Sequence, residues 1–329
     1  MPLEIDHESR YNGTVVLAHR INRPSLDVYA WFCIAIGFVI GFQILAVGGY
    51  EWPLFREATL SADFMTQPVA NPPYLGIILY PFALFPIRVG IFLFSLVSIG
   101  CLYAVHRLTG VNKWLLLASY PALRVLFYSQ LDVLTLLGAG LGLWAIRERK
   151  PLLVGLAITL LGIKPQVGLV LALVYLVWAR DWRVLIVPSI VGILSILRYG
   201  FWPVTWPTHV LEFNAWRGNT SLVIFPWGLL IWPIIFNWRR LYTQEQLVMA
   251  IVAANLMSAT HAEPYSLLTA MAFPHPLWLY PLFTMPLLIN HRALLIGLVM
   301  VPLYPLIVAG LDRVRLQAGA SLTSIRQRQ

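Results

Sequence analysis

Residues 147–183 read RERKPLLVGLAITLLGIKPQVGLVLALVYLVWARDWR. Two basic turns, Arg147-Glu148-Arg149-Lys150 and Arg180-Asp181-Trp182-Arg183, bracket an apolar stretch whose one charged residue is Lys164. Basic turns of this kind favour the same side of a membrane. The roughly 29 residues between them make about 44 Å of helix at ~1.5 Å per residue. A single crossing would leave the two turns on opposite faces, and two full crossings need about 60 Å. A shallow helical hairpin broken at Lys164-Pro165 satisfies both constraints, because Pro165 has no N–H to continue the hydrogen-bond ladder. Lys164 then sits at the tip, where a cation is costly unless it faces water or an anion.

The rest of the chain agrees with that reading. Of 329 residues, 59% are hydrophobic and 11% charged, and the mean hydropathy is +0.74; soluble proteins average about 25% charged. So few polar residues cannot clothe a soluble surface, which excludes a soluble enzyme, a secreted scaffold and a disordered chain. A membrane β-barrel would alternate in weaker stretches of about ten residues. The predicted fold is therefore all-α, a polytopic helical membrane protein of about 10–12 transmembrane or re-entrant helices with interfacial helices in its outer loops.

Apolar segments fall at 28–48, 74–86, 89–106, 114–128, 131–146, 152–163, 165–179, 184–197, 221–236, 245–259, 277–289 and 293–311. They divide the chain into a polar cytoplasmic N-terminal segment (1–27), one membrane domain (28–311) and a polar basic tail (312–329). The N-terminal segment has no apolar stretch close behind its start and is not expected to be a cleavable signal peptide. Basic connections at Arg107–Lys113, Arg147–Lys150, Arg180–Arg183, Arg239–Arg240 and His291–Arg292 are assigned to the cytoplasm, leaving outer loops at about 49–73, 198–220 and 260–276. That orientation absorbs the net charge of +9 without invoking nucleic acid. Cys33 and Cys101 lie inside apolar stretches and do not suggest a disulfide framework. The count leaves one conflict: with 49–73 outside and Arg107–Lys113 inside, 74–106 must cross an odd number of times, yet it reads as two helices. One of the two is expected to be a short re-entrant or interfacial piece.

Residues suited to chemistry gather in the outer loops. The first carries Glu51, Arg56, Glu57 and Asp63; the second mixes Trp202, Trp206 and Trp216 with His209, Glu212 and Arg217; the third contains Thr260-His261-Ala262-Glu263-Pro264-Tyr265. A His beside a carboxylate suits a proton relay, a phosphate ligand or an ordinary interfacial pair. Asn71-Pro72-Pro73-Tyr74 reads as a helix start. No His-x-x-x-His, CxxC or outer-loop Asp-x-Asp pattern is present, so no metal site and no cofactor is expected. There is also no Walker-type phosphate loop, and the cytoplasmic connections are too short for nucleotide chemistry. An enzyme with this sequence would work at the outer face or within the membrane, on a lipid-linked substrate.

Five elements in order resemble glycosyltransferase family 87, a group of polytopic GT-C enzymes. They are Glu51-Trp52-Pro53-Leu54-Phe55-Arg56-Glu57-Ala58, with Glu where the family more often has Asp; Asn71-Pro72-Pro73-Tyr74 with the Pro81 and Pro86 spacing; and Ser129-Gln130-Leu131-Asp132, similar to a Gly-Gln-x-Asn element. The last two are the run from Arg147 to Lys164-Pro165 closed by Arg180–Arg183, and Gly218-Asn219-Thr220-Ser221, similar to Gly-Asn-Gln-Ser. The resemblance covers about Gly49 to Pro286. It implies a hexosyltransferase that moves a sugar, typically mannose, from a polyprenyl-phosphate donor to a glycan or glycolipid acceptor at the outer face of a bacterial plasma membrane. The mechanism implied is metal-independent and inverting. In that scheme Glu51 is the base with Asp63 as its rival, and Lys164, Arg56 and His261 hold the donor phosphate. Gln130, Glu263 and Tyr265 contact substrate. A multi-pass transporter or lipid flippase is the competing class, since such proteins also own buried cations and broken helices. A non-enzymatic assembly protein is a third. An enzyme calls for a lateral lipid groove meeting a pocket at one face, whereas a transporter calls for a path that opens to both.

Overall fold

A computed structural model of the chain describes residues 28, 31–35, 37, 49, 51–67, 69–217, 227–259, 263–284, 296 and 299–308. Every regular element among them is helical. In order these are α1 (Trp52–Leu60), α2 (Tyr74–Ala83), α3 (Ile87–Thr109), α4 (Lys113–Ala118), α5 (Tyr120–Tyr128), α6 (Asp132–Arg147), α7 (Pro151–Gly162) and α8 (Pro165–Ala179). There follow α9 (Ile186–Tyr199), α10 (Trp206–Arg217), α11 (Ile231–Trp238), α12 (Gln244–Ser258), a 3-10 segment (Pro264–Met271), α13 (Leu279–Thr284) and α14 (Val299–Val308). The N-terminal segment 1–27, the tail 312–329, the element 218–221 and His261 lie outside the described residues.

Local sequence sets the boundaries. Gly110 adopts φ 77° at the end of α3 and its N–H bonds the carbonyl of His106, a left-handed cap that glycine adopts at little cost. Thr243 and Gln246 form a reciprocal capping box at the start of α12. Pro151 and Pro165 stand at the first positions of α7 and α8, where a missing N–H is not missed.

The stretch 114–128, read from sequence as one apolar segment, is two short helices. Ser119 is extended between α4 and α5, and its hydroxyl accepts from the N–H of Ala122 to start the second; Pro121 then fixes the new helix's first turn. The region 74–106 also divides unequally. Helix α2 has 10 residues, about 15 Å, and α3 has 23, about 35 Å. Only α3 of the pair is long and apolar enough to cross a membrane. Trp182–Tyr199, a 3-10 turn leading into α9, passes the same test with 18 residues, while α2, α7, α8 and α14 are shorter apolar helices. Lys113, at the end of the basic connection Arg107–Lys113, is buried, and its carbonyl accepts a hydrogen bond from Trp31 Nε1.

Helix α6 is the structural axis. It is buried along most of its length and packs against α3, α7, α8 and the 3-10 segment. Glycines let its neighbours come close. A Cβ on Gly142 would lie 2.0 Å from the Tyr175 ring, and one on Gly138 would lie 3.0 Å from the Ala157 carbonyl. The Tyr175 hydroxyl in turn donates to the Ala139 carbonyl, tying α8 to α6. Helices α7 and α8 form the expected antiparallel hairpin, bent at Ile163-Lys164, with the two basic turns together at its open end.

Candidate functional site

The hairpin break frees the Ile163 carbonyl, and two asparagines bond the backbone on either side of the bend. Asn71 Nδ2 donates to the Ile163 carbonyl at 2.8 Å. Asn255 Nδ2, from α12, lies 3.0 Å from the Gln166 carbonyl and 3.3 Å from that of Pro165. The Tyr74 hydroxyl adds a bond to the Thr159 carbonyl one turn earlier. A bend that would otherwise expose polar backbone to an apolar surround is thereby held in one geometry.

Lys164 points from this bend into the protein. Its ammonium donates to Asp132 Oδ2 at 2.6 Å and to Gln130 Oε1 at 3.2 Å, and it stands 4.6 Å from the centre of the Tyr265 ring. All four residues are buried, Asp132 completely and Lys164 at 6% exposure. An ion pair this deep is stable only when geometry and additional hydrogen bonds offset the desolvation of both charges. The amide oxygen of Gln130 and the face of Tyr265 are the additional partners here.

The cluster is only half satisfied. Asp132 Oδ1, Gln130 Nε2 and the neighbouring Ser129 Oγ are buried with no hydrogen-bond partner among the described residues. Ser129 also holds φ 56°, a left-handed backbone that costs a non-glycine residue energy. A free acceptor and a free donor on side chains that share one ammonium suit a ligand hydroxyl, which both donates and accepts. Unsatisfied buried polar atoms and a left-handed backbone at one spot make this cluster the candidate site.

The other residues expected from sequence fall into three groups. Glu51 is near the cluster through its backbone: its N–H bonds the Tyr128 carbonyl at 3.4 Å, at the end of α5 and two residues before Gln130. Gly49 makes the parallel bond to Phe127. Glu263 begins the 3-10 segment that carries Tyr265. Two residues are engaged elsewhere. Asp63 is exposed and its carboxylate accepts from the Met65 N–H at 3.0 Å, capping a 3-10 turn. Arg56 Nε donates to the Phe85 carbonyl at 3.1 Å, bracing α1 against the α2–α3 turn. His261 lies outside the described residues.

Sequence reading treated Asp132 only as part of a helix-start element and Asn71 as a boundary signal, and passed over Asn255. The signal for Asp132 was available: it is an acid at the head of an apolar helix, and a buried lysine demands an acid. Asn255, inside an apolar run, had nothing local to mark it.

An apolar cavity of about 220 Å³ adjoins the bend, enclosed by Tyr74, Gly162, Leu169, Leu173, Pro188 and Val191 among others. Its wall includes Gly162, two residues from Lys164 on α7, and Leu169, five residues from it on α8.

The model of glycosyltransferase family 87 matches residues 70–260, more than half of the chain. The chain belongs to glycosyltransferase family 87. No curated protein and no solved structure matches it. The family 87 match takes in Asn71, Gln130, Asp132, Lys164 and Asn255, and stops short of the loop bearing Glu51, Arg56 and Asp63 on one side and of Glu263 and Tyr265 on the other. The protein is thus a glycosyltransferase, and its substrates are a sugar donor and an acceptor.

Proposed function

We propose that this family 87 member is a polytopic membrane hexosyltransferase that moves mannose from a polyprenyl-phosphate donor to a glycan or glycolipid hydroxyl at the outer face of a bacterial plasma membrane. The observation that carries the reading is the half-satisfied Lys164–Asp132–Gln130–Tyr265 cluster at the hairpin bend, beside an apolar cavity. A lipid-linked sugar phosphate needs a cation for its phosphate, polar partners for its sugar and an apolar berth for its chain; these three lie together.

The membrane reading is supported by the outward side of α8 and α9. Ile190, Ile193, Leu194 and Leu197 follow helical spacing and are each 46–78% exposed, as are Leu169, Leu173 and Val177. A continuous apolar face of this size is unstable in water and natural against acyl chains.

The reaction is a single displacement at the anomeric carbon. The acceptor O–H gives its proton to Glu51 while its oxygen bonds the anomeric carbon, and the bond from that carbon to the phosphate oxygen breaks. The departing polyprenyl phosphate gains negative charge, which Lys164 meets. Asp132 and Gln130 keep the ammonium aimed and offer Oδ1 and Nε2 to the sugar. Asp63, already a turn cap, is the weaker candidate for base. Arg56 and His261 remain supporting candidates for the phosphate, and Glu263 for the acceptor.

The test is transfer by the purified protein in lipid from polyprenyl-phosphate mannose, with other polyprenyl-phosphate sugars in parallel arms. Mannosyl transfer with release of polyprenyl phosphate is expected. Transfer from nucleotide sugars alone would overturn the donor assignment, and lipid translocation without transfer would favour the flippase reading.

A further inference from the structure

The open end of the α7–α8 hairpin holds a second polar cavity, of about 400 Å³. Arg149, Lys150, Arg180 and Arg183 line it with one acid, Asp181, over an apolar floor that includes Ile146, Val154 and Trp178. Asp181 is already engaged: Arg183 meets its carboxylate through both Nε and Nη2, at 3.1 and 2.8 Å, and these hydrogen bonds hold the carboxyl below its usual range. Lys150 lies over the Trp144 ring at 4.4 Å. Arg149 and Arg180 have no ion pair or side-chain hydrogen bond among the described residues. The lining therefore holds three positive charges beyond the one that Asp181 pairs.

The backbone makes this arrangement telling. Arg149 and Arg180 hold φ 52° and 48°, and with Ser129 they are the described non-glycine residues in the left-handed region. Each follows a helix end, where glycine is the usual and least strained occupant. At Arg149 the cap is complete, with Lys150 N–H bonded to the Ala145 carbonyl and Arg149 N–H to that of Ile146. Glycine is the less strained occupant at both positions, yet both carry arginines that line the same cavity. The first turn of α7 also opens there, adding the positive end of a helix dipole.

We infer that this cavity binds the phosphate of an anionic lipid headgroup, at a site separate from the sugar-transfer cluster. Helix α7 separates the two by about 18 Å. A lipid source is favoured over free phosphate because exposed apolar side chains adjoin the lining residues in sequence: Val177 precedes Trp178, Trp182 lies between Asp181 and Arg183, and Leu185 follows two residues on, at 69%, 74% and 47% exposure. The inference rests on the chain lying in a membrane and not on the identity of its sugar donor.

The test compares the protein with its Arg149→Gly/Arg180→Gly variant, both purified in neutral detergent, by native mass spectrometry and thermal unfolding with phosphatidylglycerol, phosphatidylcholine or glycerol phosphate added. Both glycines suit their backbone positions, so the variant is expected to fold at least as stably without lipid. Phosphatidylglycerol should bind and raise the unfolding temperature of the parent, and the variant should bind it about thirtyfold more weakly. Mannosyl transfer in neutral lipid should be the same in both, which separates this site from the catalytic one. Equal binding by the variant, or equal binding of phosphatidylcholine, would overturn the site. Protection by glycerol phosphate as strong as that by the lipid would overturn the lipid assignment.

Discussion

Lys164 Nζ and Asp132 Oδ2 lie 2.6 Å apart in the interior, joining the bend of one helical hairpin to the first residue of the helix at the centre of the fold. Removing one partner strands the other, whereas removing both does not. Asp132→Asn or Lys164→Met alone should cost about 3–5 kcal/mol of stability. The double variant Asp132→Leu/Lys164→Met should recover most of that in thermal unfolding yet stay inactive in transfer. A stable double variant with normal transfer would reduce the pair to a structural strut.

Asn255 and Asn71 act on Lys164 through the backbone. Asn255→Ala should remove an added bond to the first-turn carbonyls of α8 at a cost of about 0.5–1.5 kcal/mol. If the bend relaxes by even an ångström, transfer should fall by about tenfold or more. The split is readable: a lower kcat with little change in KM places the effect on positioning. Unchanged kcat in a destabilised Asn255→Ala protein would mean that Lys164 does not depend on this bond.

Glu51 and Asp63 can be separated by isosteric replacement. Glu51→Gln should lower transfer by at least about a hundredfold with little loss of stability, as expected when a general base is removed. Asp63→Asn weakens the cap on the Met65 N–H, so it should cost at most about 1 kcal/mol and leave kcat near normal. Full activity in the Glu51 variant would transfer the role to another group.

Gly142 tests the packing independently of chemistry. Its Cβ position is 2.0 Å from the Tyr175 ring, which is itself held by a bond to the Ala139 carbonyl. Gly142→Ala should destabilise the protein by about 1–3 kcal/mol, and Tyr175→Leu in the same chain should restore part of it. Thermal unfolding reads both.

Some of this was decided by sequence alone. The scarcity of charge pointed to a membrane protein, and helix lengths against the spacing of two basic turns predicted a hairpin with Lys164 at its bend. Those are local or additive properties: 3.6-residue periodicity, rise per residue and the missing N–H of Pro165 do not depend on what packs where. The tertiary structure decided the rest. That Asp132, 32 residues before Lys164, is its partner depends on how α6 packs against α7, and that Asn255 serves the bend depends on α12 lying beside α8. The division of 114–128 at Ser119, where its hydroxyl caps a new helix, was not visible in the apolar pattern, which runs through both halves. The strained arginines at 149 and 180 were equally hidden, since a left-handed backbone at a residue that disfavours it is imposed by its surroundings and leaves no mark in the letters.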